Sequence, residues 1–212
     1  MSPIARTVAL CLVFVAIVLG MLYHSVTRVP TLDEDQLREL GVFVLPRPRD
    51  LAPFQLTTHT GEAFTAESLK GKWSFIFFGF TNCPDICPTS MAALGVAERE
   101  LEARGMIEDA PFQGILVSVD PERDDAASLG RYVTAFSPRF VGVRGDREAT
   151  VALTTQLNVA FAQVPDGQGG YQVDHTANIV IINPRGHYHG FIRMPHDAQK
   201  IVTAYRSLAA TF

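Results

Sequence analysis

The chemistry this chain can do concentrates in two cysteines and a scatter of histidines. Cys83 and Cys87 bracket the segment Cys83-Pro84-Asp85-Ile86-Cys87. If that loop winds into a helix, the sulfurs fall about one turn apart, within reach of a common metal ion or, with modest adjustment, of each other as a disulfide. A helix N-terminus beside them favours negative charge, and so thiolate over thiol. Two thiolates suit copper(I), an iron–sulfur cluster or zinc, and two sulfurs alone fit linear copper(I). The bland alternative is a pair of reduced core cysteines or one structural disulfide. Against it stands the polarity of the loop, where Thr81, Asn82, Asp85 and Thr89 accompany a proline after each cysteine.

A third ligand must come from elsewhere in the sequence. His24 borders an apolar run, His59 falls in a hairpin turn and His196 precedes a helix, and each reads as plain surface. His187 and His189 alternate along a strand and share a face, so a second, minor metal site is one reading of that pair. His175, in VDHTANIVIINPRG, ends a turn-rich insertion just before a core strand, from which a hairpin can swing it toward the cysteine loop. The residue pattern leaves this choice open.

The elements that must position these groups follow from periodicity. Trp73 to Phe80 (WSFIFFGF) is a continuous β-branched and aromatic run, as a buried central strand requires. The spacing from Thr89 to Arg104 predicts a helix, with Pro88 in its first turn and Gly105 as its stop. The cysteine loop therefore sits at the carboxyl edge of a sheet, where open α/β folds place their sites. The pattern repeats as a strand from Phe112 to Val119, a helix from about Asp125 to Phe136, a strand from Phe140 to Val143 and a helix from Asp146 to about Asn158. Alternation of this kind implies parallel pairing. Further on, Ala160 to Val164, the turn-rich PDGQGG, Ile179 to Ile182 and Tyr188 to Arg193 read as antiparallel strands before a last helix begins near Asp197. A βαβ half followed by a ββα half is an α/β, thioredoxin-like plan. Its additions are an N-terminal β-hairpin turning at Thr60-Gly61 and an inserted hairpin.

With 212 residues, 47% hydrophobic and 19% charged, the chain holds one ordinary domain and something extra. The extra part is Val8 to Tyr23, an uncharged apolar run that predicts a single transmembrane helix. A cleaved signal peptide is the competing reading, but MLYHSVTRVP offers no small-x-small cleavage site. Arg6 before the run and only Arg28 soon after it favour a cytoplasmic N-terminus. The expected organisation is an anchor at 1–25, a proline-punctuated stalk at 26–49 and the folded domain at 50–212. Cys11 lies within the apolar run and reads as a small hydrophobe. A net charge of −4 excludes a basic footprint for nucleic acid.

FFGFTNCPDICPTSM, then VSVDPERDD, then VDHTANIVIINPRG, with the GKWSFIFF lead-in and the N-terminal anchor, resemble the Sco/SenC family of copper chaperones for cytochrome c oxidase. The resemblance covers roughly residues 50 to 210. It implies copper, as Cu(I), Cu(II) or both, on Cys83, Cys87 and His175, with Cys83 and Cys87 as a redox-active pair able to form a disulfide. It implies subunit II of the oxidase as recipient, an upstream periplasmic copper donor, and a single-pass place in the cell inner membrane with the domain facing the periplasm, ahead of the mitochondrial inner membrane. Asp120 in the middle motif is expected either to present a carboxylate near the site or, more plainly, to cap a helix. Two rival functions use the same cysteines: a thiol–disulfide oxidoreductase that keeps the recipient's cysteines reduced, and a redox or copper sensor.

Overall fold

A computed structural model of the chain describes residues 3–27, 31–108, 110–167 and 169–212. It forms two compact units, one of Leu32–Tyr205 and one of the residues up to Thr31 together with Arg206–Phe212. In the second unit the apolar run is helix α1, Pro3–Thr27. Its side chains face outward, with Leu10, Phe14 and Leu19 each more than half exposed. Among the described residues no helix is long and apolar enough to cross a membrane. The run expected to span at Val8–Tyr23 lies within α1, which does not meet that measure; the side chains of Tyr23 and His24, and Arg28 altogether, lie outside the described residues.

The larger unit is built on an eight-stranded mixed sheet in the order β1-β10-β9-β4-β5-β6-β2-β3. Its centre is parallel: β4 (Trp73–Gly79), β5 (Phe112–Ser118) and β6 (Val141–Arg144) are joined through α3 (Ile86–Ala103) and α4 (Ala126–Thr134). All seven residues of β4 are buried, which is why its sequence lacks polar alternation. After α5 (Arg147–Gln156), β7 (Phe161–Pro165) and β8 (Tyr171–His175) form a separate antiparallel hairpin, the expected insertion. The chain then re-enters the sheet as β9 (Ile179–Ile182) and β10 (Tyr188–Ile192), both antiparallel, and ends in α6 (Ala198–Ala210). The expected N-terminal hairpin is β2 (Leu56–Thr58) with β3 (Ala63–Phe64), turning at Gly61, whose φ of 89° suits glycine.

The stretch expected to be a stalk is structured. Asp33 caps the short helix α2 (Glu34–Glu39), its carboxylate accepting from the backbone N–H of Gln36 at 2.8 Å while the Gln36 amide oxygen accepts from Asp33 N–H. The next segment, β1 (Val42–Arg49), pairs with β10 at the edge of the main sheet. Pro46 and Pro48 are tolerated because the strand is an edge and because its register breaks between Val44 and Arg49, where those prolines lie. The domain boundary thus moves from residue 50 to Leu32.

Candidate metal centre

Two chain crossings bring the site together. β4 ends at Gly79, paired with Ser118 at the end of β5, and the chain passes over that edge through the cysteine loop into α3. On the other side Ile179 pairs with Phe77, so the residues just before β9 lie at the same edge. His175, the last residue of β8, is delivered there by the hairpin.

Helix α3 begins at Ile86, so Cys87 and Pro88 belong to its first turn, earlier than the Thr89 start expected from spacing. Its first N–H groups have no partner within the helix, and the Cys87 N–H donates to Cys83 Sγ at 3.4 Å. Both cysteines are free thiols; Cys87 is buried while Cys83 is partly exposed. Gly79 makes the room for Cys87: a Cβ there would stand 2.8 Å from Cys87 Sγ, with Phe77 and Leu116 closing the other sides. Burial, with the neighbouring Cys83, pushes the Cys87 thiol up. The expected thiolate is therefore not the resting state of Cys87, because loss of solvent outweighs the helix end.

The Cys87 sulfur lies 3.6 Å from His175 Nε2. His175 Nδ1 is 3.2 Å from the Thr176 carbonyl, which can only accept, so Nδ1 carries the hydrogen and the Nε2 lone pair faces the sulfur. The ring stands edge-on between Phe77 and Phe80, with centroids at 5.7 and 6.0 Å. Burial lowers its pKa, keeping the imidazole neutral and able to ligate. The Cys83, Cys87 and His175 ligand atoms all lie within 4.8 Å of one another, and among the described residues this is the one group of three or more such side chains placed to hold a metal ion. Two sulfurs and one imidazole suit a soft, three-coordinate ion, whereas tetrahedral zinc asks for a fourth donor.

The other candidates fall elsewhere. His187 pairs with Asp50 at 3.1 Å and His189 stands edge-on to Trp73, and among the described residues neither histidine belongs to a three-residue cluster placed to hold a metal ion. His196 is not plain surface: it bridges Ser90 Oγ at 2.8 Å and the Ile192 carbonyl at 3.3 Å, edge-on to Phe77. His59 is likewise engaged, its Nδ1 accepting from Gly142 N–H at 3.1 Å.

Asp120 does not cap α4 and, among the described residues, is not part of the cluster placed to hold a metal ion. The cap of α4 is Asp125, which accepts from Ser128 N–H at 2.6 Å. Asp120 is fully buried and takes the Tyr171 hydroxyl at 2.7 Å and the Arg123 guanidinium. Arg123 also lies over the Tyr171 ring, 4.2 Å from its centroid, and donates to the Tyr171 carbonyl at 3.2 Å. Because Tyr171 opens β8, this cluster fastens the hairpin that carries His175. Asp124, also buried, ties down the other half of the site: it accepts from Thr81 N–H at 3.2 Å, from the Thr81 hydroxyl and from Ser118 Oγ at 2.7 Å. Residue spacing did not mark Asp124 for this role. That Thr81 precedes the cysteine loop while Ser118 ends a strand was the available signal for it.

Known proteins resemble this chain in sequence and fold. A protein of Stutzerimonas stutzeri, provisionally named as copper-binding, is 31% identical over 91% of this chain and 91% of its own length. The human mitochondrial Protein SCO1 homolog is 33% identical over 82% of the chain, which spans 56% of that relative. The structure of Bradyrhizobium japonicum ScoI with copper bound superposes with a TM-score of 0.63 at 34% identity, covering 76% of this chain and 98% of that one. The SCO1/SenC family model matches residues 46–210, and with the thioredoxin-like fold and the Cys83, Cys87 and His175 cluster in place, the chain belongs to the SCO1/SenC family.

Proposed function

We propose that this chain is a membrane-anchored copper chaperone that receives copper from an upstream periplasmic donor and passes it to the binuclear copper centre of cytochrome c oxidase subunit II. The observation that carries the reading is the convergence of Cys83, Cys87 and His175 within 4.8 Å. The copper held by the Bradyrhizobium relative supports the same cargo. Copper(I) displaces both thiol protons to solvent and takes two thiolates and the Nε2 lone pair. Transfer by ligand exchange then begins at Cys83, the more accessible sulfur. The outward apolar side chains of α1 support an anchor, since such a surface is satisfied by lipid rather than water. Arg6 before the apolar run supports a cytoplasmic N-terminus and so a domain in the periplasm.

The full chain in mild detergent, reduced and loaded with copper(I) without oxygen, should retain one copper per chain. Cys83→Ser, Cys87→Ser and His175→Ala should each lose or strongly weaken it. Carbonate washing of membranes should leave the chain in the pellet. A parent that holds no copper, or a His175→Ala variant that binds like the parent, sinks the reading.

The second reading is a thiol–disulfide oxidoreductase, favoured by the unequal exposure of the free cysteines. Cys83 would attack a partner disulfide, and Cys87 would resolve the mixed disulfide; the Cys83–Cys87 dithiol becomes a disulfide as the partner's becomes two thiols. That activity survives His175→Ala, whereas copper retention does not.

A further inference from the structure

Three hydrogen bonds beside the metal centre follow one another from His196 to the Cys83 sulfur. His196, in the connection between β10 and α6, sets Nδ1 2.8 Å from Ser90 Oγ and Nε2 3.3 Å from the Ile192 carbonyl. The fully buried Phe77 ring stands edge-on to the imidazole, with centroids 6.0 Å apart. Ser90, on α3 and buried, donates its hydroxyl to the Ile86 carbonyl at 2.7 Å. That carbonyl and the Cys87 N–H belong to one peptide group, and the N–H donates to Cys83 Sγ at 3.4 Å.

The number of protons fixes the direction of the chain. Burial lowers the His196 pKa, so the neutral ring brings one hydrogen and the Ser90 hydroxyl another. With the ring hydrogen on Nδ1, the contacts at 2.8 and 2.7 Å are both bonds, and two lone pairs face each other only across the 3.3 Å to the Ile192 carbonyl. With it on Nε2, Ser90 must turn its hydrogen to Nδ1, which leaves the hydroxyl and Ile86 oxygens facing each other across 2.7 Å. Repulsion grows as the separation falls, so the Nδ1–H tautomer is the lower in energy. Each group then donates to the next. Amide resonance ties the two ends of the peptide group together, so a bond accepted at its oxygen makes its N–H a stronger donor, and buried chains of this kind polarise one another. The acceptor at the end also changes, since a metal-bound thiolate accepts better than a thiol.

We propose that His196 and Ser90 are positioning residues for the copper site: from the Nδ1–H of His196, through the Ser90 hydroxyl and the Ile86–Cys87 peptide group, they strengthen the hydrogen bond that holds Cys83 Sγ when that sulfur is a copper-bound thiolate. The proposal rests on the copper reading above. No proton leaves its atom along the chain. Its end point is the partly exposed sulfur, the one at which ligand exchange begins, so the chain governs how firmly the exchangeable ligand is held. Partners that orient and bond metal ligands are typically worth 10–100-fold in metal affinity.

The test uses the full chain in mild detergent, with copper alone as the probe. In the reduced, metal-free parent, long-range proton–nitrogen NMR correlations should show His196 protonated at Nδ1. Ser90→Ala and His196→Phe should each weaken copper(I) binding about 10-fold in competition with a chromophoric chelator. Each should also move the sulfur-to-copper(II) charge-transfer band to lower energy, because the sulfur keeps a weaker donor. The double variant should bind no more weakly than either single one, since either change breaks the same chain. Urea unfolding establishes that each variant is folded under the binding conditions. An Nε2–H tautomer overturns the proposal, as do unchanged affinity and band in the folded single variants or losses that add in the double one. A parent that holds no copper overturns the copper reading and this inference with it.

Discussion

Replacing Asp124 with alanine tests whether the cysteine loop is held by its own covalent path or by a buried carboxylate 43 residues away from Thr81. The side chain is 1% exposed and takes three donors: the Thr81 N–H, shared between both oxygens at 3.2 Å, the Thr81 hydroxyl, and Ser118 Oγ at 2.7 Å. Hydrogen bonds to a charged group contribute about 1.5–3 kcal/mol each, and an N–H left buried without an acceptor costs about 1–3. The hydroxyls can rotate to other acceptors, and removing a buried carboxylate returns part of its desolvation cost. The net loss for Asp124→Ala is therefore about 3–5 kcal/mol. Asp124→Asn keeps the shape and one acceptor oxygen, and Ser118 Oγ can accept from the new amide, so it should lose only about 1 kcal/mol. Trp73, the single tryptophan and 1% exposed, reports unfolding by fluorescence in urea. Both variants should also release copper faster, because Thr81 leads into the loop that bears Cys83. An alanine variant that loses less than about 1 kcal/mol, or one that is destabilised yet retains copper like the parent, would refute the view that Asp124 positions the loop.

Gly79→Ala places a Cβ 2.8 Å from Cys87 Sγ between the fully buried Phe77 and Leu116, so overpacking should cost about 1–3 kcal/mol and the sulfur should be what moves. Weakened copper retention checks this, and unchanged retention contradicts it. Tyr171→Phe removes the bond to buried Asp120, a loss of about 1 kcal/mol, and should raise hydrogen exchange in β7 and β8 ahead of the sheet. Equal exchange in parent and variant would show that the hairpin is fastened without it. Burial lowers the pKa of His175, His189 and His196, so the unfolded chain binds their protons more readily than the fold does. Stability of the metal-free protein is accordingly full above about pH 6.5 and is lost as pH falls through the folded-state values, with a limiting slope of about 1.4 kcal/mol per pH unit for each proton taken up. A flat urea midpoint between pH 7.5 and 5 would contradict that sign.

How much of this could be read from residue order depended on the range of the interaction. The parallel core was legible because burial on both faces leaves a mark in a single segment: β4 has no polar alternation to hide. The helix starts at Asp125 and Asp146 were legible because a cap acts on backbone within its own helix, three residues on. The capping box at Asp33 is equally local, yet it was masked by the prolines at 46 and 48, which read as a stalk until the broken register and edge position of β1 make them harmless. The candidate metal ligands were only half legible. Cys83 and Cys87 declare themselves by sharing a loop, but nothing near His175 marks it above His187 and His189; what selects it is the pairing of Ile179 with Phe77, a register between strands distant in sequence. The shell around the ligands was the least legible of all. Thr81 with Asp124, Tyr171 with Asp120, and Gly79 against Cys87 are each contacts between separate elements, and each residue type has a commoner local explanation in turns, caps and strands. The same distinction separates the two sulfurs. Helix-end reasoning treats them alike, whereas the fold buries Cys87 behind Gly79 and leaves Cys83 within reach of solvent, so only the assembled sheet edge decides which sulfur meets a partner first.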